Sequence, residues 1–252
     1  MPAPAPEGRP TIRRMAQALA IVQARMSSAR LPGKSVADVD GEPMLVLLLR
    51  RLQRAGEIEQ IVVATSTEPA DDPVEEVVEE VVTDVYRGPL DDVLTRFVGA
   101  AAGHPGPLVR VTADCPLIDP DVVDEVIRLF ARTADCAYAS NVEPRSYPAG
   151  LDVEVFSPAT LERADAEARD PADREHVTAL VRRERTRFPS ANLVSDEDLS
   201  GLRWTVDTGD DLEFVRAVVS RLGPRRYTAG LRETLVAVRQ EPSLANFRGR
   251  RG

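Results

Sequence analysis

Ala18-Leu-Ala-Ile-Val-Gln-Ala-Arg-Met-Ser-Ser-Ala-Arg-Leu-Pro-Gly-Lys34 joins two patterns in one stretch. Ala18 to Gln23 is a short apolar run, as in a strand buried on both faces, and it empties into a polar loop bearing Arg25, Arg30 and Lys34. A buried strand that delivers a functional loop at its C-terminal end is the repeating unit of an open parallel sheet, where ligands gather beyond the strand ends. Lys34 is the single lysine of the chain; the other basic residues, out of 32, are arginines. A compact ammonium on a flexible stem suits a phosphate oxygen held close in a tight loop better than a planar guanidinium does. Ser28 to Ser35 misses the P-loop pattern by one residue, with Ser28 in place of glycine. Gly41 and Pro43 follow too soon for the long helix that a P-loop lysine opens. An extended loop in which three cations and free amides surround a polyphosphate fits better, with a surface turn carrying incidental charges as the alternative.

The rest of the chain repeats strand, loop and helix. Met44 to Leu52 carries apolar residues at helical spacing behind Pro43; Gln60 to Thr65 reads as a buried strand; Asp72 to Val82 reads as a helix with acids in its first turn. Tyr86 to Pro89 reads as a turn, and Asp91 to Ala102 as a helix capped by Asp91. Leu108 to Thr112 is another strand, running into Asp114, and Asp119-Pro120 opens a helix to about Arg132. Beyond Ala137 the rhythm changes. Ser140 to Gly150 is rich in Pro and Gly, with a strand expected at Asp152 to Phe156, helices at Pro158 to Glu167 and Ala172 to Arg183, and a strand at Leu202 to Val206. Asp207 and a helix to Arg221 come next, and Thr228 to Gln240 is the last helix. The alternation predicts a three-layer α/β/α fold of the Rossmann-like kind with a mostly parallel sheet. Residues 1–17 are expected to form a disordered tail and 18–252 a single domain, with an inserted arm or loop at about 140–156.

Composition limits what this fold can do. A net charge of −9 argues against broad nucleic-acid or anionic-membrane binding, and no apolar run approaches the ~18 residues of a membrane span. Two cysteines, Cys115 and Cys136, without a CxxC pair point to free thiols and a reducing cytoplasm. His104 and His176 are too few for a zinc site of several histidines. Asp114 and Asp207 each follow a predicted strand, which brings two hard carboxylates to one rim beside the cationic loop. That pairing suggests Mg²⁺, although Asp207, like Asp119 and Asp211, also fits a helix cap. Asp92 and Arg96 are spaced for an ordinary i, i+4 ion pair. His176 fits either a ligand contact or a buried, hydrogen-bonded position.

In order along the chain, these loops resemble the cytidylyltransferase family that includes CMP-KDO and CMP-sialic acid synthetases, and most closely its SpsF-like branch. Ala24 to Lys34 matches the family's A-R-x-x-S-x-R-L-P-x-K signature. Tyr86 to Arg96, Val111 to Asp119, Gly150 to Phe156, Arg174 to Thr178 and Thr205 to Thr208 resemble further family blocks. The resemblance implies a nucleotidyltransferase fold that binds CTP through Gln23, Ala24, Arg25, Arg30, Lys34, Ala64, Asp92, Arg96 and Asp114. Catalysis would rest on Arg25, Lys34, Asp114 and Asp207, with magnesium on the two aspartates and pyrophosphate leaving in line. A small-molecule acceptor would meet Asn141, Arg145, Tyr147, Asp152, Glu154 and His176. It could be a sugar acid, a phosphorylated sugar or alcohol, or a phosphonate. Relatives commonly dimerise through an inserted arm, so a homodimer is expected. Two other classes stay in view: a glycosyltransferase using an activated sugar, whose usual Asp-x-Asp motif is replaced here by Asp114-Cys-Pro, and a non-catalytic nucleotide-binding partner.

Overall fold

In the computed structural model, described for residues 17–81, 83–241 and 244, a seven-stranded sheet lies between two layers of helices. The strands are β1 (Ala18–Gln23), β4 (Ile58–Ser66), β5 (Asp84–Gly88), β6 (Leu108–Thr112), β7 (Tyr138–Ser140), β8 (Glu154–Phe156) and β9 (Ser190–Asn192), while β2 (Asp38–Val39) and β3 (Glu42–Pro43) form a separate hairpin. Their order across the sheet is β5-β4-β1-β6-β8-β7-β9. Only β8 runs against its neighbours; the other pairings are parallel.

Alternation along β1 builds both cores. Ala18, Ala20 and Val22 face a cluster with α1 (Met44–Leu52), α2 (Asp72–Val78), α4 (Pro120–Arg132), α8 (Gly209–Leu222) and α9 (Leu231–Arg239). Leu19 and Ile21 face the opposite cluster, with α3 (Val93–Ala100), α5 (Pro158–Glu167) and α7 (Ala179–Arg183). A strand covered on both faces explains the unbroken apolar run. Among the described residues no helix is long and apolar enough to cross a membrane.

Several elements differ from the sequence expectation. Tyr86 to Gly88, expected in a turn, belongs to the edge strand β5, whose backbone pairs with β4. Asp92, not Asp91, caps α3, its carboxylate accepting from the Thr95 amide at 2.9 Å. The helix expected over 172–183 is split into α6 (Pro171–Glu175) and α7, because Val177 takes a φ of 47°, a left-handed conformation unusual for a β-branched residue. Leu202 to Val206 is extended but forms no strand; its one bridge joins Arg203 to Ala149, and the Trp204 amide donates to Ala149. Gly150 permits this approach: its φ is 106°, and a Cβ there would lie 2.6 Å from the Thr205 nitrogen. The tail expected over 1–17 and the end of the helix expected at Val82 lie outside the described residues, apart from Gln17.

Candidate active site

Loop geometry brings Lys34 back across the strand ends. After β1 the Met26 amide donates to the buried Asp71 carboxylate at 2.6 Å, and the Met26 carbonyl accepts from the amides of Ser28 and Gly33 at 3.0 and 2.8 Å. Gly33, with φ 76°, supplies the left-handed step that a side chain would oppose, and one 3-10 turn over Lys34–Val36 follows. Ser35 closes the loop by donating from Oγ to the Arg25 carbonyl at 3.0 Å. The Lys34 ammonium then donates to Asp114 Oδ2 at 3.0 Å, Asp207 Oδ1 at 3.0 Å and the Val206 carbonyl at 2.7 Å. An ammonium has three donors, so all are engaged.

Asp114 and Asp207 therefore converge on one nitrogen from two distant loops. A backbone bond from the Val206 amide to the Asp114 carbonyl, 2.9 Å, clips those loops together. The remaining Asp114 oxygen accepts from Thr112 Oγ1 at 2.6 Å, and the remaining Asp207 oxygen pairs with Arg30 at 3.1 Å and with Arg203. Burial would push the Asp207 carboxyl upward, but hydrogen bonds from Lys34 and Arg203 and the charges of Lys34 and Arg30 outweigh it and hold it below the usual carboxylate range. Helix capping falls to other groups. Thr208 and Asp211 form a capping box at α8, with Asp211 accepting from the Asp207 and Thr208 amides, while Asp119 caps α4 and also accepts from the first amide of α9.

The other expected nucleotide residues lie around this centre or turn elsewhere. Gln23 and Ala64 are register partners at the ends of β1 and β4, and the Ala24 amide donates to the Ala64 carbonyl at 3.2 Å. Gln23 also accepts from Arg110 at 3.1 Å. Arg25 pairs with Glu175 at 3.5 Å. Asp92 binds Arg174 at 2.6 Å, so the expected Asp92–Arg96 pair does not form. Arg96 is fully buried, and among the described residues none of its three guanidinium nitrogens has a hydrogen-bond partner. Burial lowers its pKa, repulsion from Arg25 lowers it further, and Asp71 offsets only part.

Of the expected acceptor residues, three side chains serve the fold. Asn141 is buried and spans its loop, donating to the Leu151 carbonyl at 2.6 Å and accepting from the Val153 amide at 3.0 Å. Glu154 is buried on Arg110, Tyr138 at 2.6 Å and Thr178 at 2.7 Å. Tyr147 is also buried, its phenol pushed up to about 12 by burial and by Glu125, Asp119 and Asp196. By contrast, Arg145 and Asp152 form a half-exposed two-point pair at 2.6 and 2.8 Å. It adjoins the aspartate centre through Cys115, whose thiol is pushed up by burial and by the charges of Asp114 and Asp152. His176 is exposed, against the expectation of a buried histidine as its alternative role.

The family model described as cytidylyltransferase matches residues 19–241. The chain belongs to the cytidylyltransferase family. It is 29% identical over 239 residues to the spore coat polysaccharide biosynthesis protein SpsF of Bacillus subtilis, covering 91% of this chain and 97% of that one. It is 28% identical to a 3-deoxy-manno-octulosonate cytidylyltransferase of Anaeromyxobacter dehalogenans, over 79% and 96% of the two chains. A solved cytidylyltransferase from Leptospira borgpetersenii superposes with a TM-score of 0.87 at 29% identity, covering 94% of this chain and 98% of that one.

Within this cytidylyltransferase, four groups at the site escaped the sequence reading. Asp71 sits in an acidic stretch that reads as a helix start, yet it pins Met26. Arg203 lies four residues before Asp207, a spacing that signals a pair only in a helix, and here the chain is extended. Glu175 reaches Arg25 through folding alone, whereas Thr112, two residues before Asp114, meets it locally.

Proposed function

We propose that this protein transfers the cytidylyl group of CTP to a small acceptor and releases pyrophosphate. The observation that carries the proposal is the convergence of Lys34, Asp114 and Asp207 at the strand ends, beneath a loop that also presents Arg25 and Arg30. Triphosphate oxygens need clustered cations, and this loop supplies three. Arg96 adds support: a buried guanidinium without a partner is costly, and a nucleotide whose binding shifts the covering side chains would relieve it with acceptor atoms. Asp114 and Asp207 fit Mg²⁺, which is held by one or two carboxylates together with phosphate oxygens and water. Among the described residues no group of three His, Cys, Asp or Glu side chains could hold a metal, and magnesium on a nucleotide does not require one. Magnesium, when bound, would neutralise phosphate charge.

The work of the chain's own residues is charge neutralisation and alignment. Arg25, Arg30 and Lys34 would hold the β- and γ-phosphates, and Asp114 and Asp207 would hold the metal. Arg145, released from Asp152, is placed to bind an acidic acceptor, with His176 at the rim. The acceptor oxygen bonds to the α-phosphorus as the bond from that phosphorus to the bridging oxygen breaks, and the pair of electrons leaves on pyrophosphate. A phosphate or phosphonate oxygen attacks without losing a proton, whereas a hydroxyl gives one up to solvent. The glycosyltransferase reading has no support from the site, where Pro116 stands two residues after Asp114 in place of a second carboxylate. Pyrophosphate release should be followed with each of the four nucleoside triphosphates, Mg²⁺ and a panel of sugar acids, phosphorylated sugars and alcohols, and phosphonates. Release with CTP and one acceptor class is expected. Faster release with a purine triphosphate would overturn the assignment.

A further inference from the structure

The three donors of Lys34 are spent on Asp114, Asp207 and the Val206 carbonyl, and none is left for a phosphate. Its side chain is only 12% exposed, deeper than that of either carboxylate partner. Around the two carboxylates stand three cations, since Arg30 and Arg203 share the second oxygen of Asp207. Two negative charges faced by three positive ones form a centre that repels a free dication. Lys34 is also the one cation of this cluster whose charge is a point with rotatable donors and not a planar fork, and it follows the left-handed Gly33 at the end of the loop.

We infer that Lys34 occupies the metal position in the nucleotide-free protein, so that the divalent cation enters as its chelate with the triphosphate and not as the free ion. The inference rests on the reading of Asp114 and Asp207 as the metal-holding pair. A triphosphate arriving with its own metal offers Lys34 and Arg30 anionic oxygens in exchange for the carboxylates. As the ammonium moves onto phosphate, two carboxylates are freed at the same moment that a dication is delivered. Nucleotide and metal then bind with positive coupling, and linkage makes the coupling equal in both directions. A single lysine in an arginine-rich chain follows from this double duty, because a guanidinium fork could not leave one three-oxygen cradle and fit another in the same tight loop.

The test is a titration of the full chain with Mn²⁺, read by the paramagnetic resonance of the free ion, for wild type, Lys34→Met, Lys34→Gln, Asp207→Asn and the Lys34→Met/Asp207→Asn double variant. Melting temperatures verify that each is folded, and the two lysine variants differ in bulk and polarity, so that a folding defect in one leaves the other informative. Without nucleotide, both lysine variants are expected to bind Mn²⁺ at least about tenfold more tightly than wild type, a difference of about 1.4 kcal/mol. The double variant should lose that gain. With CTP present, wild type should lower the free Mn²⁺ below the level that CTP alone sets, and Asp207→Asn should leave it at that level. Wild type that binds free Mn²⁺ as tightly as the lysine variants overturns the inference, as does a lysine variant that gains nothing; in either case Asp207-dependent binding with CTP leaves the metal-holding pair standing. Loss of any Asp207 dependence with CTP overturns both.

Discussion

Two fully buried arginines occupy opposite situations in this protein. Arg51, on α1, donates to the carbonyls of Ile118 at 2.8 Å, Leu117 at 3.3 Å, Ala229 at 2.7 Å and Arg226. Burial lowers its pKa to about 10 against the pull of Asp119 and Glu233, so it stays charged at neutral pH. Arg96, on α3, is as deeply buried, and its guanidinium has no hydrogen-bond partner among the described residues; Arg25 repels it and Asp71 attracts it. The first arginine fastens α1 to the turn after Asp114 and to the segment that leads into α9. The second performs no comparable structural work. A buried charge that is fully partnered explains itself by the fold, and one without partners points to what is absent from the free protein.

Expected effects follow that division. The largest is on turnover: Asp114→Asn or Asp207→Asn should lower kcat by at least ~1,000-fold, about 4 kcal/mol in the barrier, measured as pyrophosphate release. Arg51→Met should cost about 3 to 4 kcal/mol of stability in urea unfolding, because three buried carbonyls and one part-buried carbonyl lose their donor at once. A loss under about 1 kcal/mol would mean that the clamp is ornamental and would erase the contrast with Arg96. Lys34→Ala should raise the barrier by about 2 to 4 kcal/mol, and Lys34→Arg should be nearly as damaging. Wild-type turnover in the arginine variant would refute the argument from the single lysine.

A smaller effect concerns Glu154, which belongs with Arg51 as a group satisfied inside the fold. Burial raises its pKa, yet Arg110, Tyr138 and Thr178 outweigh burial and leave it below the ordinary glutamate range. A depressed folded-state value stabilises the protein above the unfolded pKa, and that contribution disappears as pH falls from about 5 through the lowered value. Glu154→Gln should therefore flatten the acid limb of the stability profile while lowering stability at pH 7 by about 1 to 2 kcal/mol. An unchanged acid limb would show that other carboxylates govern it.

Legibility in the sequence tracked how local each cause is. The bounds of β1, α1, β6, α4 and α5 were readable because apolar periodicity and a cap or proline at the start set them within one segment. Strands β7 and β9, three residues each, carry too few positions to show a period, and β5 was hidden by Gly88-Pro89, which resembles a turn until β4 is there to pair with it. The meeting of Asp114 and Asp207 was legible from topology, since each was expected to follow a strand, although Leu202 to Val206 reaches the rim through a bond to Asp114 and not through the sheet. What Lys34 touches was not legible. Charge identifies a cation and not which of several anions it meets in the free protein. Nor could spacing show that Arg96 would be buried unpaired, because Asp92 was taken by Arg174, a residue 82 positions away.

The contrast between the two arginines meets its most direct test in the melting temperature of Arg96→Met with and without saturating CTP and Mg²⁺. Wild type should be stabilised by the nucleotide through its preferential binding to the folded state. Arg96→Met should melt at or above the wild-type temperature without nucleotide, because removing an unpartnered buried charge relieves its desolvation, and it should lose most of the nucleotide-induced shift. A variant that melts far below wild type and keeps the full shift would show that Arg96, like Arg51, serves the fold, and would contradict its place in the nucleotide site.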